Sequence, residues 1–288
     1  MRILLTGSKG QLAHCFRDRL PDSWELIATD SASLDITNAA AVNNMVHSFQ
    51  PDAIVNAAAY TAVDKAESEP AAAFAVNAAA VHNLAIAAHG AQARFIHVST
   101  DYVFDGQAKT PYREYSPTNP QSIYGKSKLA GELLALAANP DSIIVRTSWL
   151  FSEYGSNFVK TMLRLAKERD SLSVVADQIG NPTYAGDLAS ALIALLRQSA
   201  APRGIFHYCG NRSVSWYEFA QAVFQTASSR IDGFKAPNVS PIPSEAYPVP
   251  APRPRYSVMD CRKIESETGV QASDWQKALN DIITTGLD

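Results

Sequence analysis

Short apolar runs at 3–5, 26–28, 53–56, 95–99 and 143–146 alternate with stretches of helical periodicity near 10–19, 39–49, 70–89 and 124–138. That alternation constrains the fold more than any other feature. Strands this short are stable only when paired, and parallel neighbours need a crossover of a dozen or more residues, which each helical stretch supplies. The expected fold is α/β, a Rossmann-like doubly wound parallel sheet. Ligands of such sheets bind beyond the carboxyl ends of the strands, so the residues that follow each strand carry the functional reading.

Beyond about residue 150 the alternation weakens. Short helices expected near 156–168, 186–198 and 215–228 are separated by loops rich in Pro, Gly and Asn. The segment 237–254 holds seven prolines and no glycine and reads as a loop in which no stable helix can run. We therefore expect a dinucleotide-binding domain over 1–149. A smaller, mainly substrate-binding C-terminal domain over 150–288 would return some segments to the sheet.

The first strand runs into Gly7, Gly10 and Ala13, a Gly-x-x-Gly-x-x-Ala turn that opens a helix. Gly7 permits the tight turn, Gly10 lets backbone approach a pyrophosphate, and Ala13 lets helix and strand pack closely. A glycine turn with no ligand would look the same. The second strand, however, ends at Asp30, about 20 residues on, where an acid can bond an adenosine ribose. Asp30 would repel a 2′-phosphate and favour NADH, while Lys9 in the turn softens that preference, so NADH and NADPH both stay open.

Three further strand ends are polar or small. Asn56 to Asp64 follows the third strand and would let backbone lie against a ring or ribose, although a plain alanine-rich turn fits equally. Thr100 and Asp101 follow the fourth strand, placing a hydroxyl on the ligand side, where Thr100 can bond a carbonyl oxygen. Trp149 follows the fifth, an indole placed to wall a sugar or ring. Tyr124 and Lys128 then lie one helical turn apart and project from one face. An ordinary exposed helix face shows the same spacing, but a lysine ammonium beside a phenol would lower the phenol's pKa and make it an acid/base at neutral pH.

Composition closes off other classes. The chain has 288 residues, 47% of them hydrophobic, and a formal net charge of −3, with no basic run to serve nucleic acid or an anionic membrane. Cys15, Cys209 and Cys261 are widely spaced and odd in number, which reads as reduced core residues rather than a disulfide framework or metal site. The apolar stretch 71–91 is interrupted by Asn77, His82, Asn83 and His89, so a buried helix is expected rather than a membrane span, and the protein is expected to be cytoplasmic.

Taken together, the glycine turn, Asn56 to Asp64, Ser99 to Phe104, Tyr124 with Lys128, and Arg146 to Trp149 resemble the extended short-chain dehydrogenase/reductases, and among them the dTDP-4-dehydrorhamnose reductases. Asn157 to Ala166, Asp177 to Thr183, and Arg253 with Pro254 extend the similarity over nearly the whole chain. The resemblance implies NAD(P)H-dependent reduction of the C4 ketone of dTDP-6-deoxy-L-lyxo-4-hexulose to dTDP-L-rhamnose, for cell-surface polysaccharide. It implies Tyr124 as proton donor, Lys128 as its partner and ribose ligand, and Thr100 as the group polarising the ketone. Gly7, Gly10, Gln11, Leu12, Asp30, Asp35, Ile36, Ala59, Tyr60 and Thr61 would join Tyr124 and Lys128 around the cofactor. Thr100, Asp101, Tyr102 and Trp149 would hold the sugar nucleotide, with Val63 nearby.

Two alternatives stay open at this stage. One is a reductase of another nucleotide 4-keto-6-deoxy sugar, for example giving 6-deoxytalose. The other is a non-catalytic nucleotide-binding subunit resembling the regulatory subunit of methionine adenosyltransferase. Some members of the resembled family gather carboxylates around magnesium at a dimer interface, where this chain has Cys15 and Gly186. No metal is expected, Asp187 reads as a helix-start residue, and the assembly would be a monomer or a metal-free homodimer.

Overall fold

The structure is a computed structural model that describes residues 1–200 and 202–285. Six parallel strands form the central sheet: β1 (Arg2–Thr6), β2 (Glu25–Thr29), β3 (Ala53–Asn56), β4 (Arg94–Thr100), β5 (Ile143–Thr147) and β6 (Gly204–His207). Their spatial order is β2, β1, β3, β4, β5, β6, so the order reverses between β1 and β3 and opens a crevice there. β6 enters the sheet from the second half of the chain.

Alternation along each strand builds two cores. Ile3, Leu5, Ala53, Val55, Ile96, Ile143 and Val145 face helix α1 (Gln11–Asp18) and the Ala185–Arg197 helix. Leu4, Ile54, Phe95 and Ile144 face the Ala39–Phe49, Ala80–Gly90 and Ile123–Ala138 helices. The 70–90 segment is long and apolar enough to cross a membrane by length and composition, yet half of it is buried in the fold. Its middle, Ala75–Ala79, is π-helical, a one-turn widening that carries the buried Asn77.

A third core lies entirely beyond residue 150. Phe151, Val159, Leu163, Phe219, Val223, Trp275, Leu279 and Ile282 pack together there, drawn from the Phe158–Glu168, Trp216–Arg230 and Trp275–Thr285 helices. The proline-rich segment departs from its expected loop character. Asn238–Ile242 is a strand paired in parallel with Ser171–Val175. Asn238 N–H donates to the Asp170 carbonyl and Ile242 C=O accepts from Ala176, so the even positions face the partner strand. Pro241, lacking an N–H, occupies an outward position where none is needed.

The Ile123–Ala138 helix comes unusually close to its neighbours. A Cβ on Gly125 would lie 2.3 Å from the Tyr102 carbonyl oxygen, and one on Gly131 would lie 2.0 Å from that of Asn77. Ser122 caps its start by accepting from Gly125 N–H at 3.1 Å, and the Glu67 carboxylate takes the Ile123 N–H at 2.8 Å. The Gly125 contact places Tyr124 against the turn that follows β4.

Candidate active site

The cofactor cradle sits at the crevice between β1 and β3. Gly7 has φ +78°, and a Cβ there would meet the Ala57 and Ala58 backbone at 2.7–2.8 Å, so only glycine lets the two turns touch. Gly10 precedes α1 and offers no side-chain cap, which leaves the first N–H groups of the helix directed at the crevice. The arrangement fits a pyrophosphate. Gln11 is fixed from the second half of the chain, its Oε1 accepting from Ser152 Oγ at 3.0 Å and Asn157 Nδ2 at 2.9 Å. Leu12 and Ile36 bury their side chains in the cores and have only backbone to present.

Asp30 is engaged on both oxygens. Lys9 Nζ lies 2.5 Å from Oδ2, while Oδ1 accepts from the N–H groups of Ala32 and Ser33 and from the Ser33 hydroxyl. Lys9 and these donors hold the carboxyl far below its ordinary range, so it is ionised. Asp35 is exposed and closes a turn by accepting from Thr37 N–H and Oγ1, which lowers its pKa too. Tyr60 leans away from the crevice and donates to Glu69 at 2.8 Å, but its backbone is clamped by Asn77, which accepts from Tyr60 N–H and donates to its carbonyl. Ala59 and Thr61 flank that clamp.

Thr100, Asp101, Tyr102 and Tyr124 come together at the carboxyl end of β4. The Thr100 hydroxyl donates to Asp101 Oδ1 at 3.0 Å and accepts from Tyr102 N–H at 3.2 Å. Tyr102 and Tyr124 meet edge to face with centroids 5.4 Å apart. Asp101 is 2% exposed and its Oδ2 has no hydrogen-bond partner; burial pushes its pKa up to about 6, against the Ser257 and Thr100 hydroxyls. The partly exposed Tyr124 is pushed up to about 12 by burial, with the Asp101 charge adding and the Thr100 hydroxyl opposing.

This differs from the expectation that Lys128 lowers the phenol's pKa. Lys128, 1% exposed, donates to the Val98 carbonyl at 2.7 Å and lies 3.3 Å from His97 Nε2. Its ammonium is directed into the sheet, where burial lowers it to about 8 against the favouring charge of Glu132. Desolvation rather than a neighbouring cation governs both groups.

Trp149 adopts φ +48°, stacks on Trp216 at 3.5 Å, and lies so close to Gly180 that a Cβ there would come within 2.6 Å of its ring. It thus joins the strand-end cluster to the third core. Val63 begins a short helix whose Asp64 binds Arg253 at 2.7 Å, tying the proline-rich segment to the cofactor half. Arg253 also lies over the Tyr102 ring.

Two buried polar residues beside the site, Asn77 and His97, were given no site role from sequence, and Asn56 was read only as the start of the Asn56 to Asp64 segment. Asn77 was visible as a polar interruption of an apolar helix. Asn56 ends its strand and His97 lies in the middle of β4, and only the sheet register brings them together. Elsewhere, Asp187 lies in the first turn of its helix and accepts from Ser273 at 2.7 Å. The Arg19 guanidinium fills the space beside Gly186, and Cys15 is a buried thiol pushed up to about 12. Cys209 and Cys261 are likewise free and buried.

Comparison with known proteins places this geometry. Residues 1–287 match the family model described as RmlD substrate binding domain. The dTDP-4-dehydrorhamnose reductase of Aggregatibacter actinomycetemcomitans is 48% identical over 98% of each chain. Two crystal structures of dTDP-4-dehydrorhamnose reductases superpose with TM-scores of 0.93 over 99% of each chain. One is from Clostridium acetobutylicum at 42% identity; the other, from Bacillus anthracis at 37%, is in complex with NADP. With its Rossmann-like sheet, its glycine cradle and this similarity from end to end, the chain belongs to the dTDP-4-dehydrorhamnose reductase family.

Proposed function

We propose that the protein reduces the C4 ketone of dTDP-6-deoxy-L-lyxo-4-hexulose to give dTDP-L-rhamnose, using NADH or NADPH. The observation that carries this reading is the meeting of Tyr124 with Thr100 and Asp101 at the end of β4, beside a glycine cradle that fits a dinucleotide. A reduced nicotinamide supplies hydride to the ketone carbon. The chain's own residues manage the proton and the oxygen. Tyr124, protonated at neutral pH, donates from its phenol to the C4 oxygen as negative charge develops there. Thr100 polarises that oxygen by turning its one hydroxyl proton, which rests on Asp101 Oδ1 at 3.0 Å, toward the substrate. Lys128, which spends one N–H on the Val98 carbonyl, would hold the ribose with another, and Trp149, braced by Trp216, would wall the sugar nucleotide.

The residues beyond 150 outside β6 and the Ala185–Arg197 helix supply the sugar-nucleotide half of the cleft, closed across it by Asp64 and Arg253. The protein acts in the cytoplasm, as a monomer or a metal-free homodimer, without nucleic-acid or membrane partners. The Arg19 guanidinium occupies the space between Cys15 and Gly186 and adds positive charge there, which supports the metal-free reading.

The test is NADH and NADPH oxidation with dTDP-6-deoxy-L-lyxo-4-hexulose, with the product identified by NMR. Tyr124→Phe should lower kcat by about 10²–10⁴ with KM nearly unchanged. Equal rates in the two proteins, or 6-deoxytalose as product, would refute the assignment.

A further inference from the structure

Four polar side chains form a buried line across the sheet on the face that carries the Ile123–Ala138 helix. Thr6, Asn56, His97 and Lys128 are each 0–1% exposed. Sheet register sets Thr6 beside Asn56 and Asn56 beside His97. Thr6 Oγ1 donates to Asn56 Oδ1 at 2.6 Å, Asn56 Nδ2 meets His97 Nδ1 at 3.0 Å, and His97 Nε2 lies 3.3 Å from Lys128 Nζ.

The orientation of Asn56 is fixed by a backbone group. Ala58 N–H donates at 3.1 Å to Oδ1, which must therefore be the carbonyl oxygen, so the amide nitrogen faces His97. An amide N–H can only donate, which makes His97 Nδ1 an acceptor and leaves the ring proton on Nε2. The N–H that remains points at Lys128. An ammonium has three donors and no acceptor, whereas a neutral amine has a lone pair that takes this N–H.

We propose that His97 is a positioning residue for Lys128: held by Asn56 in the Nε2–H tautomer, it opposes the lysine's positive charge and orients the amine against the Val98 carbonyl. Lys128 then changes charge with little reorganisation, its neutral form accepting from His97, donating to Val98 and keeping one N–H for a ligand. Burial works in the same direction, lowering Lys128 to about 8 and holding His97 neutral well below its ordinary value. The titratable groups around Lys128 are His97 on β4, Tyr124 and Glu132 one turn away on its own helix, and Arg146 on β5. Of these, Glu132 is paired with Arg146 at 2.7 Å, and its charge still favours the ammonium, against burial and His97. The proposal rests on the reductase reading for its purpose, but its test does not require turnover.

The full-length protein, labelled with ¹⁵N at histidine and lysine, is examined by NMR without substrate. The expected spectrum shows His97 Nδ1 unprotonated and Nε2 protonated across neutral pH; the opposite tautomer, or a charged ring, overturns the proposal. In His97→Gln, whose side-chain oxygen can face the ammonium, the Lys128 midpoint, assigned by its loss in Lys128→Met, should rise by about one unit. An unchanged midpoint also overturns it. If His97→Gln fails to fold, the tautomer in the unaltered protein still decides. Failure of the reductase assay would leave both measurements intact, and failure of either would leave the assay intact.

Discussion

Gly125→Ala isolates the contact that seats the phenol. The new Cβ would lie 2.3 Å from the Tyr102 carbonyl oxygen and 3.0 Å from Pro120 Cβ. A carbon and a carbonyl oxygen tolerate about 3.3 Å, so the helix and the Asp101–Val103 turn must part by about 1 Å. Alanine gains about 1 kcal/mol of helix propensity over glycine, and overpacking costs about 1–3 kcal/mol, so the net loss of stability is about 0–2 kcal/mol. Activity is far more exposed than stability. The turn carries Asp101 and Tyr102 and follows Thr100, while Tyr124 precedes the substituted residue, so the displacement separates the hydroxyl and phenol that the proposed mechanism brings to one oxygen. A 1 Å misplacement costs about 10² in rate. Steady-state kcat should therefore fall about 100-fold while the thermal midpoint moves only a few degrees. A variant with wild-type kcat, or one that unfolds outright, would show that the close approach does not position the acid.

Asp30→Ala should raise the NADPH-to-NADH ratio of kcat/KM, because it removes the charge facing a 2′-phosphate and frees Lys9 from its ion pair; an unchanged ratio removes Asp30 from cofactor choice. Glu132→Gln leaves the buried Arg146 guanidinium without its charge partner and should cost about 3–5 kcal/mol in urea unfolding, with a much smaller loss marking the pair as dispensable. Asp101→Asn tests the strained carboxyl. Its folded pKa of about 6 lies above the ordinary 3.8, so the native state binds the proton more tightly, and stability falls as pH rises through 6. The asparagine variant lacks that loss, so its advantage should grow from near zero at pH 4 to at most about 3 kcal/mol at pH 8. Denaturant midpoints that run parallel across that window would contradict it.

The strands were readable because each is a short apolar run between helical stretches, and the glycine turn and the Tyr124–Lys128 spacing follow from local geometry alone. Segments whose meaning depends on a neighbour were not. Asn238–Ile242 contains Pro241, and its pairing is allowed only because that residue faces outward. The Arg262–Thr268 helix buries only Ile264, too little for a periodic signal. Trp275–Thr285 does carry one, since Trp275, Ala278, Leu279, Ile282 and Ile283 fall on one face, yet it stands after an irregular stretch that hides its start. The orientation of Lys128 was out of reach for the same reason. It depends on Asn56 and His97, which are 72 and 31 residues away in sequence and become neighbours only through strand register.

The raised pKa of Tyr124 bears on the direction of the chemistry. A phenol held at about 12 is ionised in only about one molecule in 10⁵ at pH 7, so the resting group is a proton donor and a very poor base. An alkoxide formed at C4 is more basic than even this phenolate, and proton transfer to it is favourable. Oxidation of an alcohol would need the phenolate first, against burial and against the Asp101 charge. The environment that makes Tyr124 weak by the usual standard of acidity thus keeps it protonated, in the form that the proposed reduction needs. The charge of Asp101 favours that protonated state and the Thr100 hydroxyl opposes it.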